Sequence, residues 1–80
     1  MATVIFSSEL QKLTGEEQTS VDARIYKDIV AELIARYPAL DQESLMKMAI
    51  AIDGEIVHNP LLEIIDESSE LHFLYRISGG

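Results

Sequence analysis

The chain contains no cysteine, and this absence excludes three kinds of chemistry together. Without thiols there are no disulfide bonds, no thiolate metal ligands and no thiol nucleophile. Basic residues are also scarce, with six Lys and Arg against fourteen Asp and Glu and a formal net charge of -8. Because binding to a nucleic-acid backbone depends on clusters of Lys and Arg, we expect no nucleic-acid partner. The charge favours a protein partner with a basic surface.

Long hydrophobic runs are missing as well. No stretch approaches the ~18 apolar residues needed to span a bilayer, and the first residues lack the basic leader and the apolar run of a signal peptide. We therefore expect a soluble, cytoplasmic protein that does not bind membranes. A chain of 80 residues has room for one small core, which leaves little space for an enclosed catalytic cavity.

Short alternating apolar runs predict a set of β-strands. The predicted strands cover residues 3–7, 18–21, 48–53, 55–57 and 70–77. Asp53-Gly54 lies between the third and the fourth of them, and this dipeptide adopts the positive φ angles of a tight hairpin at low cost. These two strands are therefore expected to pair with each other.

One stretch has the 3.6-residue period of an amphipathic helix. Its stripe consists of Ile25, Tyr26, Ile29, Val30, Leu33, Ile34 and Tyr37. Asp22 is the predicted N-cap, and Pro38 is expected to end the helix because the residue before a proline avoids helical dihedral angles. A shorter amphipathic turn is predicted at Leu10 and Leu13, with both side chains on the core, and a further helical turn at 43–47.

The order of these elements, strand, strand, helix and then strands, indicates an α+β fold with one long helix across a mixed sheet. In the last strand, Leu71 and Phe73 alternate with His72 and Leu74. Successive side chains of a strand point to opposite faces, so we expect Leu71 and Phe73 to face the helix and His72 and Leu74 to face outward. The polar segment 66–69 is predicted to be a loop.

Catalytic patterns are missing from the sequence. The two histidines, His58 and His72, have no second group in a recognisable pattern beside them. No serine lies in a nucleophile-elbow pattern, and the glycines do not form a phosphate-binding loop. We therefore predict neither an enzyme nor a metal site.

The sequence ends in Gly79-Gly80, and this ending carries the functional hypothesis. A carboxylate is unreactive at neutral pH, but adenylation with ATP converts it to an anhydride that a sulfur or nitrogen nucleophile can attack. Glycine has no Cβ, so such a tail can enter a narrow tunnel in another protein and adopt the dihedral angles found there. We predict that the Gly80 carboxylate is the reacting group and that Ser78 and Gly79 thread the tunnel.

Three segments resemble the molybdopterin synthase small subunit (MoaD). Residues 4–15 have its apolar opening, its Leu-x-x-Leu turn and its glycine, and residues 52–57 are similar to its Val-Asn-Gly-Glu hairpin. Residues 77–80 resemble its Val-Ser-Gly-Gly or Val-Thr-Gly-Gly ending. The chain is thus similar to the MoaD/ThiS family of sulfur carriers. This implies a ubiquitin-like β-grasp with four to five strands and one main helix in residues 1–77, followed by a flexible tail, 78–80.

The resemblance implies a sulfur carrier rather than an enzyme. Gly80 would be adenylated by a MoeB- or ThiF-like enzyme that uses ATP, and sulfur from a donor protein would convert it to a thiocarboxylate. No bound cofactor is implied. A MoaE-like large subunit of molybdopterin synthase would receive the tail. The residues predicted to bind partners are His72, Leu74, Arg76 and Ile77.

Other functions remain open at this point. The family's Gly-Asp-Glu and its proline pair are replaced here by residues 68–70 and by Tyr75-Arg76. Residues 71–80 are also close to the end of ubiquitin, which fits a protein modifier joined through Gly80 to lysines of its targets. A sulfur carrier for thiamin, an amino acid or tRNA would carry the same ending. A plain interaction module with an incidental tail is a further alternative.

Overall fold

The computed structural model describes residues 1–58 and 60–74. The helices and strands in this part of the chain are β1 (Ala2–Ile5), α1 (Ser8–Thr14), β2 (Gln18–Val21), α2 (Tyr26–Arg36), α3 (Gln42–Lys47), β3 (Ala49–Ile52), β4 (Glu55–Val57) and β5 (Glu70–Leu74). The strands form one sheet in the order β2-β1-β5-β3-β4. Among the described strands, only β1 and β5 pair in parallel. The predicted α+β fold with a mixed sheet is confirmed.

The helix α2 packs against the sheet through the stripe that its sequence predicts. Tyr26, Ile29, Val30 and Leu33 are buried, and they join one hydrophobic cluster with buried residues of β1, β3 and β5. The helix ends at Arg36, and Tyr37 has non-helical dihedral angles, as Pro38 predicts. None of the helices among the described residues has the length and apolar character needed to cross a membrane.

The start of α2 differs from the prediction. Ile25 occupies the N-cap position and has no capping side chain. The carbonyl oxygens of Leu61 and Glu63 accept hydrogen bonds from the first two amides of the helix, at 3.1 and 3.0 Å. The prediction that Asp22 is the N-cap is therefore wrong. A loop that is distant in sequence satisfies these amides, and propensity rules for caps do not include such contacts.

Asp22 takes part in a different contact, a hydrogen bond that joins α2 to the end of β2. Its backbone amide donates to both carboxylate oxygens of Glu32, at 3.0 and 3.1 Å. Arg36, one turn further along the helix, pairs with Glu32 at 2.8 Å. The Arg36 guanidinium also donates to the Ser20 carbonyl at 2.6 Å and to the Thr19 hydroxyl at 2.7 Å. This network holds the helix against the edge of the sheet.

The structure also differs from the predictions in two smaller points, at Leu13 and in the segment 66–69. Leu10 is buried, but Leu13 is about half exposed, because it lies on the rim of an open groove that it shares with Leu40 and Met48. The prediction that both leucines pack on the core is therefore wrong for Leu13. The segment 66–69 is a loop, as predicted, but it contains the buried Ser69.

Ser69 takes part in hydrogen bonds that join the β3–β4 turn to the start of β5. Asp53 and Gly54 have φ angles of 50° and 88°, as the hairpin prediction requires. The Asp53 carboxylate accepts hydrogen bonds from the Ser69 hydroxyl at 2.7 Å and from the Glu70 amide at 2.9 Å. The bond from the Glu70 amide, together with that from Ser69, holds the pKa of Asp53 below its ordinary value of 3.8.

We expect Asp53→Asn to lower stability at neutral pH, because an amide offers one acceptor oxygen to these two donors. Asn tolerates the positive φ angle, so the change isolates the carboxylate. Since the pKa of Asp53 is lowered in the folded state, the stability that its carboxylate contributes is present above pH 3.8 and is lost as the pH falls below that value. Urea unfolding of both proteins over this acid range measures the difference. The same acid dependence in both proteins would contradict the assignment.

A second prediction concerns Tyr26, which is buried against Phe73 with ring centroids 6.2 Å apart. Its hydroxyl has no hydrogen-bond partner among the described residues, and burial raises its pKa from 10.0 to about 12. We expect Tyr26→Phe to leave stability unchanged or to raise it by about 1 kcal/mol, because the variant has no desolvated hydroxyl. As a control, Tyr37→Phe should lower stability, since the Tyr37 hydroxyl donates to Glu16 at 3.0 Å.

The pH dependence gives an independent check on Tyr26. Because the folded state keeps the phenolic proton to a higher pH than the unfolded state, stability is complete below the unfolded pKa of 10.0 and falls toward 12. In chemical denaturation experiments, Tyr26→Phe should not show this part of the loss of stability at alkaline pH. A marked loss of stability at neutral pH in Tyr26→Phe would show that the hydroxyl has a partner.

Candidate functional site

β5 is the strand that leads to residues 75–80, and it lies in the middle of the sheet. Val4 of β1 is opposite Leu71, and Ala49 of β3 is opposite Leu74. Hydrogen bonds therefore hold β5 on both sides, and its last described residue is still paired with β3. A central strand has little freedom to move. The position of Leu74, from which residues 75–80 continue the chain, is therefore fixed relative to the rest of the fold.

The two faces of β5 differ as its alternating sequence predicts. Leu71 and Phe73 are fully buried in the core with α2. His72 is partly buried, and Leu74 is 36% exposed on the opposite face. The outward orientation of His72 and Leu74 is therefore confirmed, and their role in partner binding stays a prediction.

The outward face of the sheet carries an apolar strip around these two residues. Directly paired residues share a face, and the register pairs Leu74 with Ala49, His72 with Ala51, and Ala51 with Ile56. Ile56 is 57% exposed. We name this set, Ala49, Ala51, Ile56, His72 and Leu74, the open-face strip. Ala49 and Ala51 are each only 8% exposed, so Ile56, His72 and Leu74 form most of the accessible part of the strip.

The open-face strip carries little charge, although the protein as a whole is strongly acidic. Among the described strand residues on this face, only Glu70 is acidic by the pairing register. Its carboxylate lies 3.9 Å from His72 Nε2. Apolar surface with few charges is typical of the centre of a protein–protein interface. The strip therefore has the character of a protein-binding surface, and it includes Leu74 at the end of β5.

Other kinds of site have less support in this part of the chain. No group of three His, Asp or Glu side chains among the described residues could hold a metal ion. The apolar groove between α1 and α3 is open to solvent and is lined by Leu10, Leu45 and Met48, with few polar groups that could orient a small ligand.

The structure brings together only part of the predicted site. His72 and Leu74 lie on one face, whereas Arg76, Ile77, Ser78, Gly79 and Gly80 lie outside the described residues. The predicted boundary between residues 77 and 78 lies there too. The functions of these residues stay predictions.

Sequence reasoning missed Ile56, although a signal for it was present. A two-residue turn at Asp53-Gly54 pairs Ile52 with Glu55 and therefore Ala51 with Ile56. Once Ala51 is known to lie next to His72, Ile56 falls on the same face. The pairing of β3 with β5 supplies that last step, and the sequence pattern alone does not specify it.

A model of the ThiS family matches residues 4–80. The chain belongs to the ThiS family. The match includes the segments 4–15 and 52–57 and extends to Gly80. The resemblance to the MoaD/ThiS carriers is thereby confirmed. No curated protein sequence matches this ThiS-family chain.

Solved structures show the same fold. Small archaeal modifier protein 1 (SAMP1) from Methanosarcina acetivorans has a TM-score of 0.78 at 20% identity, over 99% of this chain and 95% of that one. A chain of the BexX/CysO complex from Amycolatopsis orientalis has a TM-score of 0.78 at 19% identity, over 100% of both chains.

A third similar structure is the complex of subunits 1 and 2 of the molybdopterin-converting factor from Helicobacter pylori. One of its chains has a TM-score of 0.66 at 20% identity, over 99% of this chain and 97% of that one. At these identities the likeness shows the fold. The ubiquitin-like β-grasp predicted for this ThiS-family chain is confirmed.

The two faces of β5 predict opposite effects of neighbouring substitutions. We expect Phe73→Ala to lower the free energy of unfolding by about 3–5 kcal/mol, because it leaves a cavity in the core. Leu74→Ala should lower it by less than about 1 kcal/mol, because Leu74 is on the surface. Equilibrium urea unfolding measures both. Similar losses in the two variants would show that the strand alternation is assigned incorrectly.

Proposed function

We propose that this ThiS-family protein is a sulfur carrier whose Gly80 carboxylate is adenylated with ATP by a MoeB- or ThiF-like enzyme. Sulfur from a donor protein then converts the activated glycine to a thiocarboxylate. The observation that carries this proposal is the family match, which extends to Gly80. Small carriers of the ThiS, MoaD and SAMP type are generally not catalysts themselves, so the chemistry would take place in partner enzymes.

The chemical logic of the tail requires only its own carboxylate. A carboxylate oxygen of Gly80 attacks the α-phosphate of ATP, and pyrophosphate leaves. The resulting mixed anhydride has AMP as a good leaving group. Hydrosulfide released by the sulfur donor attacks the carbonyl carbon, AMP leaves, and Gly80 then ends in a thiocarboxylate. Dividing the reaction in this way replaces one difficult step by two easier ones. Gly79 and Ser78 would bring the carboxylate into the active site of the activating enzyme.

The folded body would supply the binding energy for this encounter. Ordering a tail costs ~1–2 kcal/mol per residue, and contacts elsewhere must offset this cost. The open-face strip is well placed for that purpose because Leu74 is its member nearest to the tail. In support, two of the similar structures are complexes with a second protein. We propose that His72, Leu74, Arg76 and Ile77 contact the partner together with Ile56.

Within the family we favour the small subunit of molybdopterin synthase, with a MoaE-like large subunit as the recipient of the tail. The hairpin at 52–57 and the ending at 77–80 resemble that subunit. A similar structure is a complex of subunits 1 and 2 of a molybdopterin-converting factor. Molybdenum cofactor biosynthesis in the cytoplasm is the setting that follows from this proposal.

A second candidate is a protein modifier that forms an isopeptide bond between Gly80 and lysines of other proteins. Two observations favour it. Residues 71–80 are close to the end of ubiquitin, and one of the similar structures is a small archaeal modifier protein. Both candidates share the adenylation step and differ in the nucleophile that follows.

Intact-mass measurement of the full chain tests the proposal. After incubation with ATP, a ThiF-like enzyme and a sulfur donor, we expect a gain equal to the mass difference between sulfur and oxygen. Deletion of Gly80 should abolish the gain and leave the thermal unfolding midpoint nearly unchanged, because an exposed terminus makes few buried contacts. Branched glycine remnants on lysines of other proteins would favour the modifier. An unchanged mass with ATP, enzyme and sulfur donor present would contradict the sulfur carrier, and the absence of lysine-linked remnants as well would contradict both candidates.

A further inference from the structure

A second exposed apolar surface lies on the loop between β4 and β5. Leu61, Leu62 and Ile64 have exposed fractions of 47%, 70% and 77%. We name these residues the loop patch. Three large aliphatic side chains so close together on the surface are unusual for a small soluble domain, and such clusters often mark interaction sites. The proposed sulfur-carrier function does not use the loop patch.

The backbone of the loop patch is fixed, so its side chains cannot turn inward easily. The carbonyl oxygens of Leu61 and Glu63 satisfy the first amides of α2. Ile64 forms a β-bridge with Ile25, and the Ile65 amide donates to the Arg24 carbonyl at 2.6 Å. Folding the exposed side chains into the core would break these contacts. The loop patch is therefore a preorganised surface, which lowers the entropy cost of binding.

The loop patch has an acidic border. Ile64 shares one shallow groove with Glu55 and Glu63 and a second groove with Asp66 and Glu67. Glu67 pairs with Arg24 at 3.7 Å and with the N-terminal amine at 4.0 Å. By contrast, Glu55, Glu63 and Asp66 form no ion pair within residues 1–58 and 60–74.

Two cations among the described residues lie beside the patch. Arg24 lines the second groove with Ile64 and is paired with Glu67, and Lys27 lies on the other side. The Lys27 amide bonds to the Leu61 carbonyl, so this residue lies next to Leu61. The side of the patch around Ile64 therefore keeps an excess of carboxylates that have no ion-pair partner among the described residues. An apolar centre with such a border is complementary to a partner whose apolar residues are flanked by Lys or Arg.

The loop patch is separate from the open-face strip and from the tail. Its groove includes Ile52 and Val57, which the pairing register places on the face opposite Ile56. The same groove includes Asp53, which binds Glu70 at the start of β5. Leu74, the last described residue, lies at the other end of that strand, about 13 Å away for a strand of this length. A partner on the loop patch would leave the Leu74 end of β5 accessible.

We propose that the loop patch is a second docking surface, which binds a protein partner with an apolar centre and a basic border while the tail is engaged elsewhere. The acidic border distinguishes among the partners that could bind the loop patch. A second copy of this chain would bring carboxylates against carboxylates, and an anionic membrane or a nucleic acid would be repelled. A basic protein surface is the occupant that both the apolar residues and the charges favour.

The test uses the full chain and a probe of the proposed chemistry, an amphipathic helical peptide of leucine and lysine about four turns long. Backbone amide shifts of the nitrogen-labelled protein are followed during the titration. We expect saturable shifts at residues 61–66 and at the start of α2, and weaker binding at high salt. Leu62→Ser should weaken binding about tenfold, as loss of an apolar contact predicts.

Matched controls make the result specific. Leu13→Ser changes another exposed leucine, on α1, and should leave the peptide affinity unchanged. Glu63→Gln should weaken binding and reduce its salt dependence, and thermal unfolding verifies that each variant is folded.

Four outcomes would overturn the proposal. They are shifts confined to the open-face strip, equal affinity of Leu62→Ser and the parent protein, equal binding of a leucine–glutamate peptide, and binding of anionic vesicles through Leu62. None of these readouts involves ATP or Gly80, so the proposed sulfur-carrier function is tested separately.

Discussion

The parallel pairing of β1 with β5 is the contact on which the rest of the structure depends. It joins the first strand to the last described strand, with Val4 opposite Leu71. Leu71 and Phe73 can enter the core only when β5 lies between β1 and β3. The same pairing fixes the direction in which β5 runs within the sheet. Core packing and the position of Leu74 at the end of β5 are therefore consequences of one arrangement of strands.

The strand arrangement gives the domain two distinct surfaces, the outward face of the sheet and the loop before β5. Side-chain alternation in β5 places Leu71 and Phe73 inside and leaves His72 and Leu74 on the outside. The outside face has few charges, whereas the loop before β5 combines apolar side chains with carboxylates that have no ion-pair partner among the described residues. In the proposed function, partner proteins supply the chemistry and this domain holds each of them in a defined position relative to Leu74.

Much of the fold could be predicted from sequence because the decisive signals are local. The stripe from Tyr26 to Leu33, the Asp53-Gly54 turn and the alternation of β5 all depend on neighbouring residues. The cap of α2 was missed because Leu61 and Glu63 are distant in sequence from the helix that they complete. Ile56 was missed for a similar reason, since its face follows from the pairing of β3 with β5. Local patterns gave the elements, and tertiary contacts gave the surfaces.

The loop that completes α2 also limits how this protein can be engineered. Surface loops usually accept inserted residues at small cost. Here the carbonyl oxygens of Leu61 and Glu63 are the acceptors for the first turn of a helix, so an inserted epitope or reporter would change their spacing and fray that turn. A fusion or label is better placed at an exposed site outside this segment.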